Sequence, residues 1–145
     1  MIDTHAHLDQ PEFIHDLEGV ICTSREHGVR RILCVGTTAS SSAAVVRMAE
    51  QNTAIHAAVG IQPNYTGDVT AEDWDQVVEL ASRSVVAAIG ETGLDRYWDY
   101  APFGTQQEYF DRHLRLSQRR GLPVVIHCRE AEADLIPMLR EAAGR

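Results

Sequence analysis

The chain contains no lysine: all thirteen of its positive charges are arginine, against 21 acidic residues, and the net charge is −8. That balance excludes the broad basic face on which general nucleic-acid binding rests, so any phosphate chemistry must draw on local cations. Arg112, Arg115 and Arg119 share one helical face by their spacing, which a solvated surface explains more simply than a phosphate track. Cysteine is scarce as well. Cys22, Cys34 and Cys128 are odd in number and far apart with no Cys-x-x-Cys, which argues against a disulfide framework or a thiolate zinc site and predicts reduced, partly buried thiols. Long apolar runs are missing too: Val85 to Ile89 and Val124 to Ile126 are strand-sized, far short of the roughly 20 residues that span a bilayer. The first residues carry acid and imidazole where an export signal would carry a basic and then an apolar stretch, so no membrane partner and a cytoplasmic location are expected. No Gly-x-Gly-x-x-Gly or Walker sequence follows a strand candidate, which weakens a nucleotide-binding reading.

What is present is the apolar content of one globular domain over 1–145, with 44% hydrophobic residues. Short β-branched runs alternate with longer amphipathic stretches. Strands are predicted at Met1 to Thr4, Arg31 to Val35, Ile55 to Gly60, Val85 to Gly90 and Pro123 to His127. Helices are predicted at Glu12 to His27, Ser40 to Gln51, Ala71 to Ser82, Gly104 to Arg120 and Ala131 to Ala143. Gly28 and Gly121 read as stops, Ser40 to Ser42 as caps, and Thr70 with Asp73 as a capping box. Pro137 is costly inside a helix, so Asp134 is expected to cap a shortened last one. Repeated β then α implies a parallel sheet covered by helices, either doubly wound or a (β/α) barrel, and both place ligands at the strands' C-terminal ends.

The polar residues at those ends form a pattern. Asp3, Thr4, His5, Ala6, His7, Leu8, Asp9 set two imidazoles two positions apart, so His5 and His7 share one face of a strand and converge at its C-terminal edge, as half of a transition-metal site. Gln62 ends the third strand. Glu91 follows the fourth within Gly90, Glu91, Thr92, Gly93, Leu94, Asp95, where glycines allow tight turns beside a carboxylate able to bridge two cations. His127 and Arg129 end the fifth. Imidazoles and a carboxylate arriving from three strands at one rim predict a metal centre.

These residues resemble a known family. Asp3 to Asp9, Gly60, Ile61 and Pro63, Gly90 to Asp95, Gln106 with Phe110, and Leu122 to Ala131 look like the signature series of TatD-type deoxyribonucleases of the amidohydrolase superfamily. The resemblance implies an α/β fold of TIM (β/α)8 barrel lineage, with about five of the eight units present, and a divalent-metal-dependent hydrolase acting on phosphodiester bonds of DNA. It also implies two divalent ions, Zn, Mg or Mn. His5 and His7 would hold one, His127 the other, and Glu91 would bridge them and position the nucleophilic water. Arg129 and Gln62 are the expected substrate-binding residues.

Two departures stand out. The family usually carries His where this chain has Gln62, which can hydrogen-bond but cannot move protons near neutral pH. A further His and an Asp, expected in units six and eight, have no counterpart in these 145 residues. Five units also leave edge strands and an apolar interior uncovered, so self-association or a longer protein is expected. The competing readings are an amidohydrolase acting on C–N or C–O bonds, a PHP-type phosphoesterase, and a non-catalytic assembly module with a shortened barrel.

Overall fold

The computed structural model describes residues 1–145. Five parallel strands, β1 (Ile2–Ala6), β2 (Arg31–Val35), β3 (Ile55–Val59), β4 (Val86–Asp95) and β5 (Val124–Arg129), pair in the order of the chain. Each strand lies beside its successor, so the sheet has no point of reversal of the kind a doubly wound sheet requires. The architecture is an arc of a (β/α) barrel, and the alternative open sheet is excluded.

Helices α1 (Pro11–Ile14), α2 (Leu17–Glu26), α3 (Ala39–Gln51), α4 (Ala71–Leu80), α5 (Phe103–Arg120) and α6 (Glu132–Ala143) join the strands, with a 3-10 segment at Pro63–Asp68 after β3. The expected helix over 12–27 is in fact two pieces. Asp16 leaves helical geometry (φ −142°, ψ 49°) and caps α2 by accepting the Gly19 N–H at 3.1 Å. Thr38, and not the serines after it, caps α3 by accepting the Ser41 N–H at 3.1 Å. The Thr70 and Asp73 capping box is present, and Gly121 ends α5 in the left-handed region at φ 67°. The expectation for α6 is corrected: the helix runs through Pro137, its N-cap is Ala131, and Asp134 lies in the first turn, paired with Arg96 at 2.7 Å. Pro137 and Ala133 are exposed, so the carbonyl left without its helical donor faces solvent.

Alternation along the strands divides the core. On the outer face, Ile32, Cys34, Ile55, Ala57 and Val59 pack under the helices with Ile21, Val45 and Val77. The concave face carries a smaller apolar group of Val35, Ala58 and Ala88, with Leu33 and Val125 against it. β1 and β5 are unpaired on their outer edges, with Ile2 60% and Ile126 38% exposed. Of the cysteines only Cys34 is buried, Cys22 and Cys128 being exposed, and burial pushes the Cys34 thiol up to about 11. Arg112 and Arg115 pair with Glu108 and Asp111 one turn away, as a solvated helix face does.

α5 ties the C-terminal ends of β3 and β4 together through two buried polar side chains. Gln106 accepts the Asp95 N–H at 2.9 Å and donates to the Ala101 carbonyl at 3.1 Å. His113 accepts the Ile61 N–H on Nε2 at 3.0 Å, so its proton sits on Nδ1, donated to the Tyr109 carbonyl at 2.6 Å. Burial in this neutral form lowers the His113 pKa from 6.5 to about 4. The unfolded chain takes up a proton below pH 6.5 and the folded chain does not until about pH 4. Stability is therefore full above that window and falls as the pH drops through it, at up to about 1.4 kcal/mol per pH unit. Urea denaturation between pH 7 and 5 is expected to show this slope in the wild type and a shallower one in His113→Gln; equal slopes would contradict the assignment.

Candidate metal centre

Two imidazoles meet at the end of β1. His5 Nε2 and His7 Nε2 stand 3.2 Å apart, with the rings edge to face at 5.0 Å between centroids. His7 Nδ1 lies 2.8 Å from the Val35 carbonyl of β2. A carbonyl only accepts, so Nδ1 carries the proton and Nε2 presents its lone pair toward His5.

Glu91 faces this pair from β4. It does not follow the strand, as expected, but sits within it, because β4 continues to Asp95. Gly90 and Gly93 take φ of 135° and 144°, and a Cβ on either would stand 2.4 Å from the Val125 carbonyl oxygen or 1.9 Å from that of His127. Only glycine lets β4 lie this tightly against β5, with the register shift between Ile89 and Thr92 that turns Glu91 inward. The Glu91 carboxylate is then shared: Oε2 lies 3.8 Å from both His5 Nε2 and His7 Nε2, and Oε1 lies 3.0 Å from His127 Nδ1.

His127 is held on both nitrogens, its Nε2 reaching Asp95 Oδ2 at 2.8 Å. Asp95 in turn accepts from the Asn64 side chain at 3.1 Å and from the backbone N–H groups of Tyr97 and Trp98 at 2.9 and 3.0 Å. Sequence reasoning quoted Asp95 without giving it a role. The signal was available, since 91 and 95 differ by an even number and so share one face of a strand. Hydrogen bonding to Glu91 raises the His127 pKa, against the opposing effect of burial, and Asp95 adds to the rise. Burial disfavours the charged form of Glu91, yet His127, then His5 and His7, hold its carboxyl below the ordinary range. Burial likewise opposes ionisation of Asp95, and its four hydrogen bonds overcome that.

His7, Glu91 and His127 open onto a cavity of about 760 Å³ that Gln62, Trp98 and Tyr100 also line. Gln62 spends its carbonyl oxygen on the Asn64 N–H at 2.8 Å, capping the 3-10 segment, which leaves its amide donors for the cavity. Arg129 is not drawn into the cluster. Its guanidinium lies over the Tyr97 ring at 4.0 Å. No sequence signal pointed to the aromatic residues 97, 98 and 100.

The donors suit a divalent cation. Ligand atoms of His5, His7 and Glu91 lie within 4.8 Å of one another. Two imidazole nitrogens on a tetrahedral zinc ion stand about 3.3 Å apart, close to the 3.2 Å found here. One lone pair is already aimed by a backbone carbonyl, the usual outer support of a metal-bound histidine.

The profile of the family described as TatD related DNase matches residues 2–145. Among curated proteins, one of Bacillus subtilis (strain 168) named uncharacterized metal-dependent hydrolase YabD is 38% identical, over 97% of this chain and 55% of its own length. One of Pantoea sp. (strain At-9b) named 3'-5' ssDNA/RNA exonuclease TatD is 34% identical, over 99% of this chain and 57% of its own. The crystal structure of YjjV, a TatD homolog from Escherichia coli K12, superposes with a TM-score of 0.92 at 33% identity, covering 98% of this chain and 56% of that one. The chain belongs to the TatD-related DNase family and spans about half the length of the curated relatives it matches.

Proposed function

We propose that this chain carries the metal-holding part of a hydrolase that cleaves phosphodiester bonds of DNA, with two divalent ions, Zn, Mg or Mn, as cofactors. The observation that carries the reading is the shared carboxylate: one oxygen of Glu91 faces His5 and His7, and the other faces His127. His5 and His7 would hold one ion and His127 the second, with Glu91 between them. Bound there, such ions supply Lewis acidity, which acidifies water and offsets negative charge gathering at phosphorus.

The chain's own groups do the rest. Glu91, kept anionic, accepts a hydrogen bond from the attacking water and aims it. Were His127 to hold an ion through Nδ1, the proton it shares with Glu91 would pass to solvent, while Asp95 would keep its hydrogen bond to Nε2 and hold the ring in place. Gln62 donates its amide to a phosphate oxygen but moves no proton. Arg129, two residues beyond His127 on β5, grips a neighbouring phosphate through its planar fork. The name of the Pantoea relative, an exonuclease on single-stranded DNA and RNA, agrees with a nucleic-acid substrate.

Calorimetric titration of the metal-stripped chain with Zn or Mn is expected to show binding that Glu91→Gln weakens on the order of 100-fold. Because the His and Asp expected in units six and eight are not among these residues, cleavage of single-stranded DNA on addition of metal is expected of a chain extended to carry them, and Glu91→Gln is expected to abolish it there. Cleavage of an amide or lactone instead would assign the site to chemistry at carbon, and metal binding with no cleavage by the extended chain would mark a non-catalytic module.

The same proposal covers the open edges. The apolar concave face and the outer edges of β1 and β5 need a partner, and a second copy of the chain supplies one. Static light scattering is expected to give a mass above the monomer's 16.1 kDa; a monomer that melts sharply and cooperatively would refute self-association. No helix is long and apolar enough to cross a membrane, and three unpaired cysteines suit the cytoplasm we propose for the protein.

A further inference from the structure

We infer that Tyr65, Trp98 and Tyr100 form a stacking platform at the mouth of the cavity that takes the unpaired bases of a single-stranded nucleic acid. The inference rests on the phosphodiester reading above and names the part of the substrate that reading leaves open. All three rings line the cavity of His7, Glu91 and His127. They are also exposed, Tyr65 by 53%, Trp98 by 41% and Tyr100 by 65%. Large rings gathered in solvent at one rim mark a binding surface, since nothing in the fold gains from leaving them wet.

The rings are already arranged. Trp98 and Tyr100 stack at 5.3 Å between centroids with 17° between planes, and Tyr97 meets Trp98 edge-on at 4.7 Å. Arg129 lies over Tyr97 and fixes its orientation from the other side. Tyr100 uses one face on Trp98, so its 65% exposure leaves the other face free for a base. The platform is also tied to the metal centre. Asp95 Oδ1 accepts the Tyr97 and Trp98 N–H groups, and Oδ2 of the same carboxylate holds His127. A base seated on the rings is thereby set at a constant offset from the residue facing the scissile phosphate.

Charge points the same way. The chain has a net charge of −8, Asp68 lines this cavity, and no arginine is among its lining residues, Arg129 being held over the Tyr97 and Trp98 rings. Phosphate tracking gains little against that field, whereas stacking is insensitive to it and open to every base. A duplex hides its base faces and cannot use the rings.

The test is fluorescence titration of the EDTA-treated chain, in which nothing is cut, with a thymidylate pentamer and with an abasic pentamer of equal charge. The thymidylate is expected to quench tryptophan emission and to bind about tenfold more tightly than the abasic strand or a duplex. With the two strands carrying a fluorescein label and binding read from its anisotropy, Trp98→Ala is expected to lose that preference and Trp98→Phe to keep it, and Tyr100→Ala to weaken it with Trp98 still reporting. Circular dichroism verifies that each variant is folded. Equal affinity for the two strands, tight duplex binding, unchanged affinity in both alanine variants, or no binding of thymidylate at millimolar concentration would each overturn the platform. The hydrolase reading fails separately, by absence of metal-dependent cleavage of the thymidylate strand in a chain extended to carry units six to eight.

Discussion

The close pairing of β4 with β5 is the constraint from which the site follows. Gly90 and Gly93 bring the two backbones together where a Cβ would meet the carbonyl oxygens of Val125 and His127. The approach sets His127 between Glu91 and Asp95, each within 3.0 Å of one ring nitrogen. Carboxylates buried like these are costly alone and persist because each finds a cationic or donor partner. Gln106 extends the constraint to α5 by fixing the Asp95 backbone, and His113 does the same for the end of β3. The rim is thus braced from the helical layer as well as from the sheet.

The distribution of charge explains why such a site calls for metal. Arginines of this acidic chain are engaged on the surface, in pairs such as Arg83 with Glu50, Arg96 with Asp134 and Arg115 with Asp111. None lines the cavity. Among the residues that line it, only imidazoles can carry positive charge, and His7 keeps its Nε2 lone pair free by donating its Nδ1 hydrogen to the Val35 carbonyl. The His5 and His7 end of the cluster is arranged to receive a cation, while His127, held between two carboxylates, has its pKa raised.

Much of this was legible from local pattern, and the departures have local causes. The Thr70 capping box and the Gly121 stop rest on interactions within one turn, and both stand as read. The break at Asp16 escaped because the apolar period continues across it while a side-chain cap restarts the helix. The helix tolerates Pro137 because a missing donor on its solvent side leaves no buried carbonyl. β4 was cut short at Gly90 because glycine pairs ordinarily mark turns; here they permit an unusually close strand pair.

By itself the sequence determined the strand and helix succession and the identity of the inward donors. His5 and His7 share a face because alternate residues of any strand do, whereas Glu91 and His127 face the site from within β4 and β5, which run on to Asp95 and Arg129. Which groups meet was decided only by tertiary structure. The register of β4 on β5 puts Asp95 on His127, and Arg129 settles over Tyr97. Those choices depend on contacts between residues tens of positions apart, where no local period operates and packing alone selects the partner.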